Sequence, residues 1–157
     1  MIANKINWAL TDKFKRNEWP ENVTNRMESK LFHALFSLRD KVPNWCSMIP
    51  SPLTNAHVRD QGNSRHSTKG NTRLSDATDL FVSWKALWHV FKVAQSLSFG
   101  GIGLYLDTQL GGKEMPMIHL DMREDRVLWV RYNGVYYYYD NDPIEFFRVL
   151  SAYGKRE

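Results

Sequence analysis

The sequence lacks the features of several protein classes. Cys46 is its only cysteine, which excludes intramolecular disulfides and zinc sites built from Cys-x-x-Cys pairs. Charged residues interrupt every apolar stretch well short of the ~18 residues that a membrane span needs, and residues 1–16 contain no unbroken apolar segment typical of a secretion signal. We therefore expect no membrane association and no signal peptide, and we expect any metal ion to be held mainly by histidine and carboxylate side chains.

Length and composition are those of one globular domain. The chain has 157 residues, of which 43% are apolar and 13% aromatic, and no internal repeat or low-complexity tract is visible. We predict a single domain over residues 1–157. The net charge of +4 favours an anionic partner in general, but the basic residues are scattered and no nucleic-acid motif is present, so we predict no nucleic-acid partner.

Two helices are predicted in the first two thirds of the chain. In residues 23–41, Asn25 and Glu28 have the spacing of a capping box, and apolar residues follow with helical periodicity until Pro43. The apolar run after Asp79 predicts a second helix that ends before Gly100 and buries Trp84, Leu87, Trp88 and Phe91. The segment between them, residues 43–74, is too long for an ordinary connection, and long ordered loops usually carry function.

The last third predicts strands followed by a short helix. Alternating segments occur at 102–104, 117–122, 127–132 and 135–139, and Asn133-Gly134 joins the last two as a hairpin turn. We interpret the four tyrosines at 136–139 as part of a strand, with a base-stacking platform as the alternative. Asp142 and Pro143 predict the start of a helix that ends near residue 152. These elements predict an α+β fold in which N-terminal helices pack on a small antiparallel sheet.

Two of the histidines have neighbours that suggest chemistry. His33 and His89 lie within helical patterns, where a hydrogen-bonded or partly exposed histidine is ordinary. His66 lies in the long loop, and His119 precedes Asp121 by two residues on a strand. Because side chains at i and i+2 of a strand share a face, we expect the imidazole and carboxylate to lie together on a surface, while the core receives Ile118, Leu120 and Met122.

Four motifs occur in an order that resembles a known family. They are SRH at 64–66, ATD at 77–79 before an apolar run, GGIGLY at 100–105 and MIHLDMR at 117–123. In these motifs the chain resembles the zinc D-alanyl-D-alanine carboxypeptidase and L-alanyl-D-glutamate peptidase family, in its bacteriophage-type branch, which implies a hedgehog/DD-peptidase-like fold. The loop at 51–53 with Arg59 and the hairpin with Trp129, Gly134 and Tyr136 extend the resemblance over residues 25–139.

The resemblance implies that His66, Asp79 and His119 bind one Zn²⁺ ion. Three such ligands leave the fourth tetrahedral position for water, whose pKa falls to about 7 when bound, and the metal polarises the scissile carbonyl. A carboxylate must then pass the water's proton to the leaving amine. Asp121 is the preferred base, and Glu114 is the alternative. The competing role for Asp121 is to orient the ligand His119.

The spacing of the first two ligands departs from the family pattern. Twelve residues separate His66 from Asp79, where many relatives have fewer, and we interpret the difference as a loop insertion. Asp76 is the competing ligand. Asp79 is favoured because an alanine stands two residues before it and the apolar run follows it.

The resemblance also implies a substrate and a setting. The implied substrates are the stem peptides of peptidoglycan, which carry free carboxylates that a guanidinium binds through two hydrogen bonds. The candidate substrate-binding residues are Arg59, Ser64, Arg65 and Arg123. The expected location is the host cytoplasm until a phage lysin is released to the cell wall, or else the virion. A non-catalytic virion or wall-binding protein of the same fold is the alternative.

Overall fold

The structure is a computed structural model that describes residues 6, 8, 13–70 and 72–154. Within these residues the chain is α+β, as predicted, with three α-helices and a mixed six-stranded sheet. The helices are α1 (Ser29–Lys41), α2 (Trp84–Gln95) and α3 (Pro143–Tyr153). The strands are β1 (Met48–Pro50), β2 (Ala77–Val82), β3 (Gly101–Tyr105), β4 (Gln109–Leu110), β5 (Lys113–Glu114), β6 (Met117–Asp121), β7 (Val127–Tyr132) and β8 (Val135–Tyr138). None of the helices in these ranges is long and apolar enough to cross a bilayer.

Helix α1 begins at Ser29, so the prediction that it starts near Val23 is wrong. The predicted capping box does not form, because Glu28 itself is the N-cap and makes no side-chain cap bond. The backbone N–H of Glu28 donates instead to the carbonyl of Ser75 at 2.7 Å, and Met27 forms a β-bridge with Ser75. Tertiary pairing with the segment that leads into β2 therefore overrides the local helix signal.

The apolar run after Asp79 divides between a strand and a helix. Leu80–Val82 complete β2, and α2 starts at Trp84 with Ser83 as its cap. All six residues of β2 are buried. The strand therefore lacks the alternation of buried and exposed residues that would distinguish it from the helix in the sequence. Leu87 and Phe91 lie in the core as predicted, whereas two members of the predicted buried face, Trp84 and Trp88, are only partly buried.

The main sheet has the order β1-β2-β6-β3-β7-β8. Every neighbouring pair is antiparallel except β3 and β7, which are parallel. The prediction of a purely antiparallel sheet is therefore wrong at this pair, because residues 122–126 carry the chain across the end of β3. A β-carbon at Gly100 would lie 1.9 Å from the carbonyl oxygen of Arg123, so the crossing requires glycine there.

Two local predictions in the C-terminal third are confirmed. Asn133 and Gly134 have φ of 50° and 74° and join β7 to β8, as the Asn-Gly pair predicts. Asp142 caps α3, since its carboxylate accepts a hydrogen bond from the Glu145 N–H at 3.0 Å, and Pro143 occupies the first turn. Helix α3 packs on β7 and β8.

The two faces of the sheet differ in composition. One register row consists of Leu80, Ile118, Leu104 and Val130, all buried in the core. The next row along the strands, whose side chains point to the opposite face, consists of Asp79, His119, Gly103, Trp129 and Tyr138. The polar and aromatic residues of this second row therefore form one surface, separate from the core.

Candidate metal centre

Three side chains from separate parts of the chain converge on one point. His66 belongs to the long loop, Asp79 to β2 and His119 to β6. Nδ1 of His119 lies 2.9 Å from Oδ1 of Asp79 and 3.1 Å from Nε2 of His66. Nε2 of His66 lies 3.5 Å from the same oxygen of Asp79. All three residues are buried, and together they could hold a metal ion.

The spacing of these three atoms fits a tetrahedral metal ion. Ligands bound at about 2.0–2.1 Å to one tetrahedral ion lie roughly 3.3 Å apart, and the separations in this triangle are 2.9, 3.1 and 3.5 Å. Two imidazole nitrogens with one carboxylate oxygen suit first-row divalent metals. The structure thus brings together the three predicted ligands. The competing candidate, Asp76, instead forms an ion pair with Arg65.

Asp121 orients the ring of His119. Its Oδ2 lies 2.9 Å from Nε2 of His119, on the ring nitrogen that faces away from the triangle. When Nε2 carries the proton that it donates to Asp121, the lone pair of Nδ1 points at Asp79 and His66, as a metal ligand requires.

Asp121 is itself held on every side. It accepts hydrogen bonds from the Gly101 N–H at 3.0 Å, from Nε of Arg123 at 2.8 Å and from Nη2 of Arg123 at 2.5 Å. It is 0% exposed. The expectation that His119 and Asp121 lie together on a surface is therefore wrong, because Arg123 and the backbone of β3 enclose the carboxylate.

The charges of the triangle depend on one another. Burial lowers the pKa of His119, but hydrogen bonds to Asp121 and Asp79 raise it to about 9. Burial raises the pKa of Asp79, but hydrogen bonds with His119 and His66 hold it well below its usual range. In the metal-free protein a proton on Nδ1 of His119 therefore faces Asp79. A metal ion would bind the Nδ1 lone pair that holds this proton, so metal binding must displace the proton.

Two glycines of the GGIGLY segment provide the space in which the site is built. A β-carbon at Gly101 would lie 2.2 Å from Oδ2 of Asp121. A β-carbon at Gly103 would lie 2.2 Å from the indole ring of Trp129. The indole is in turn 5.2 Å from the His119 ring, between centroids. Because these two residues have no side chains, Asp121 and Trp129 can pack directly against the backbone of β3, and both contact His119.

The triangle forms part of the wall of an open pocket. The predicted substrate residues all line this pocket: Arg59, Ser64, Arg65 and Arg123. Glu114 does not, because β5 places it in a separate cavity with Asp107 and Tyr132. Asp121 does not line the pocket either. In the described part of the chain, Asp79 is the only carboxylate on the pocket wall.

The pocket also contains residues that no motif identified as binding residues. Arg131 lies two residues after Trp129 on β7, and Tyr105 follows Gly103 on β3. The period-2 alternation with Trp129 is the sequence signal that places Arg131 on this face. Burial raises the pKa of Tyr105, and its hydroxyl accepts a hydrogen bond from Nε1 of Trp129 at 3.4 Å.

The pocket arginines are fixed by protein partners. Arg65 pairs with Asp76, Arg123 with Asp121, and Arg131 with Asp107, in the last case at 2.8 Å. Nε of Arg59 donates to the carbonyl of Asn55 at 2.9 Å. Each guanidinium is therefore held in one orientation, and its other N–H groups remain to donate to a ligand in the pocket.

Another histidine, His57, secures the loop that carries His66. His57 is 0% exposed, and its ring nitrogens lie 2.8 Å from Oγ1 of Thr78 and 2.7 Å from the carbonyl of Ser51. Burial lowers the pKa of His57 to about 4, so it is neutral at pH 7. It therefore ties the loop to β2 beside Asp79 and takes no part in the triangle.

Comparison with known proteins finds no family model, no curated protein and no solved structure that this chain matches. The family resemblance of its motifs therefore stays a prediction.

Proposed function

We propose that this chain is a zinc-dependent peptidase that cleaves the stem peptides of peptidoglycan. The observation that carries the proposal is the triangle of His66, Asp79 and His119 in the wall of an arginine-lined pocket. The proposal includes the hedgehog/DD-peptidase-like fold and a role as a phage lysin or virion-associated wall hydrolase. It agrees with the order of the four motifs in the sequence.

The ligand set supports a catalytic zinc site. Three protein ligands are typical of catalytic zinc, whereas structural sites usually have four. When bound, zinc supplies a Lewis acid for a carbonyl and lowers the pKa of a coordinated water to about 7. The remaining work falls to the protein. Asp121 keeps the His119 ring in the ligating tautomer, and the pocket arginines hold the substrate.

The pocket charges support a substrate with carboxylates. Arg59, Arg65 and Arg123 surround the triangle together with Arg131. A fixed guanidinium that retains free N–H groups binds a carboxylate through two hydrogen bonds. Stem peptides offer several carboxylates within a short length, so one substrate can engage more than one arginine while a peptide bond lies at the triangle.

The structure changes the roles that we propose for the two candidate bases. Asp121 is enclosed and contacts Nε2 of His119 on the side away from the triangle. We therefore propose that Asp121 is a positioning residue. Glu114 lines a different cavity, so we assign it no role in proton transfer.

A non-catalytic wall-binding protein is the second candidate. The observation that favours it is that, among the described residues, the pocket wall has no carboxylate other than that of the proposed ligand Asp79. Such a protein would bind stem peptides through the same arginines and release no product.

Metal analysis combined with digestion of peptidoglycan tests the proposal. We expect about one zinc per chain, as a single catalytic site requires, and new amino groups in peptidoglycan treated with the zinc-loaded protein. His66→Ala, Asp79→Ala and His119→Ala should each lose the metal and the activity. His33→Ala is the matched control, because His33 is exposed on α1, and it should retain both.

Two results would contradict the proposal in different ways. Full zinc content in His66→Ala and His119→Ala would show that the ligands are wrong. Stoichiometric zinc without release of amines from peptidoglycan of any chemotype would leave the wall-binding candidate in place of the peptidase.

A further inference from the structure

Two exposed tyrosine rings lie on the edge strand of the sheet, next to the pocket. Tyr136 and Tyr138 on β8 are 45% and 39% exposed. Their rings are nearly parallel, at 19°, with centroids 6.4 Å apart. Tyr138 lies 6.2 Å from Trp129, which lines the pocket beside His119. These two tyrosines and the buried ring of Trp129 together form the aromatic strip.

The strip faces away from the hydrophobic core. Tyr137 and Tyr139, which alternate with the strip tyrosines along the chain, pack against the core, and the ring of Tyr139 contacts Phe146 of α3. Half of the four-tyrosine run is therefore explained by packing. The other half presents two partly exposed rings: Tyr136 lines the pocket and contacts Tyr105, and Tyr138 lies farther out on β8.

The charges around the strip disfavour a polyphosphate ligand. The segment from Val135 to Glu145 contains no lysine or arginine, and it carries Asp140, Asp142 and Glu145. Two pocket arginines adjoin the strip at its pocket end, since Arg131 faces Tyr136 in register and Arg123 lies 5.4 Å over the Trp129 ring. Binding of single-stranded nucleic acid relies on basic residues along the backbone path in addition to stacking rings. The outer end of the strip, at Tyr138, has the ring, but the segment that follows it supplies no basic residue along such a path.

We propose that the aromatic strip binds sugar rings of the glycan strand whose stem peptide enters the pocket. A pyranose has an apolar face of C–H groups that stacks on an aromatic ring, and its equatorial hydroxyls can bond with tyrosine hydroxyls at the ring edges. A neutral sugar needs no cation, which agrees with the absence of lysine and arginine from residues 135–145. This inference rests on the proposed function for the identity of the polymer.

The position of the strip suits a polymer with side branches. Trp129 belongs to the same register row as Asp79 and His119, and Tyr138 follows Trp129 in that row on the outermost strand. A glycan strand that lies along β8 can continue past the edge of the sheet in both directions. Its peptide branch then follows the row from Tyr138 over Trp129 to the metal centre.

Titration with chitotetraose, an uncharged tetramer of N-acetylglucosamine, tests the inference on the full chain. We expect measurable binding by calorimetry, and Tyr138→Ala and Tyr136→Ala should each weaken it on the order of tenfold, as loss of one stacking ring does in other systems. Tyr138→Phe should retain most of the affinity because the ring remains. Phe147→Ala is the matched control, since Phe147 is 47% exposed on α3, and it should bind as the wild type does.

Three results of the sugar titration would overturn the inference. They are an absence of chitotetraose binding by the wild type, equal binding by Tyr138→Ala, and a loss in Tyr138→Phe as large as in Tyr138→Ala. Competition by a single-stranded oligonucleotide at equal concentration would also overturn it in favour of nucleic-acid binding.

A metal-free sample separates this inference from the proposed function. The strip uses none of the three metal ligands, so chelator-treated protein should keep its affinity for chitotetraose while peptide cleavage is lost. If the wild type bound the sugar but cleaved no peptidoglycan, the peptidase proposal would fail and the inference would stand. If the wild type cleaved peptidoglycan but did not bind the sugar, the inference would fail and the peptidase proposal would stand.

Discussion

The indole of Trp129 covers Gly103 so closely that a β-carbon on the glycine would lie 2.2 Å from the ring. The ring of Trp129 also lies 5.2 Å from the ring of His119, between centroids. Gly103 thereby fixes how near the indole can approach the metal centre, although it offers no functional group itself. The GGIGLY motif is explained by this packing and by the matching space that Gly101 leaves for Asp121.

Gly103→Ala should destabilise the protein by about 1–3 kcal/mol, because the added methyl group overpacks a filled site. The double variant Gly103→Ala/Trp129→Leu should be no less stable than Trp129→Leu alone, since the clashing ring is absent from both. Denaturant unfolding of the four proteins measures this coupling. Equal stability of Gly103→Ala and the wild type would show that the indole does not lie where the structure places it.

Asp121→Asn should weaken zinc binding by about 10- to 100-fold, because the amide no longer holds His119 as a carboxylate does. Zinc affinity and cleavage rate should fall together. Asp140→Asn, in the turn after β8, is the charge-matched control and should change neither. A rate that falls about 10²- to 10⁴-fold with full zinc content would instead identify Asp121 as the general base.

Glu114→Gln should slow cleavage of peptidoglycan less than tenfold, because its carboxylate lies in a cavity separate from the pocket. Steady-state rates at saturating substrate, with zinc content measured in the same samples, provide the check. A larger loss at full zinc content would mean that the hairpin of β4 and β5 brings Glu114 to the substrate during the reaction.

The metal-free protein should lose stability as the pH falls from about 6.5 towards 4, in part through His57. The unfolded chain takes up a proton near pH 6.5, whereas burial lowers the pKa of His57 in the folded protein to about 4. The unfolded state therefore binds more protons in this window, at a cost of up to about 3 kcal/mol of stability at its lower end.

His57→Gln isolates this effect. The amide offers one donor for the Ser51 carbonyl and one acceptor for the Thr78 hydroxyl, but it does not titrate. Its free energy of unfolding should fall less steeply than that of the wild type over the same pH range. Parallel curves would show that His57 is protonated in the folded state as readily as in the unfolded state.

Phe91→Ala should cost about 3–5 kcal/mol, the usual loss for a buried aromatic residue. Trp88→Ala should cost less, because Trp88 is only partly buried and stacks on Phe91 at the rim of the core, with centroids 5.6 Å apart. Thermal or denaturant unfolding of both variants measures the order. A larger cost for Trp88→Ala would contradict the burial seen at α2.

The features predicted correctly from the sequence depend on neighbouring residues. The turn at Asn133-Gly134 and the cap at Asp142 each arise from side-chain and backbone preferences within four residues. Both can therefore be predicted from the local sequence alone. The metal ligands were predicted through motifs, and the structure brings their side chains together. The start of α1 was missed because Ser75, far along the chain, takes the hydrogen bond that would have extended the helix.

The features that the sequence does not reveal depend on which strands become neighbours. The parallel pairing of β3 with β7 places Arg131 and Trp129 beside Tyr105, and no local pattern encodes that choice. The burial of Asp121 follows from Arg123 folding back over it and from a glycine on an adjacent strand. Glu114 was a candidate because of its distance from His119 in the sequence, but the short hairpin of β4 and β5 directs it to another cavity.

The sheet order has a consequence for when the metal centre forms during folding. Four adjacent strands, β6-β3-β7-β8, come from the continuous segment 101–138, whereas β1, β2 and the loop with His66 come from residues 48–82 and join through β2 and β6. Contacts that are close in sequence close smaller loops and form sooner. His119 belongs to the first unit, and both other ligands belong to the second. Zinc affinity should therefore appear only when the two segments dock, so that metal uptake in a refolding experiment reports the final assembly of the chain.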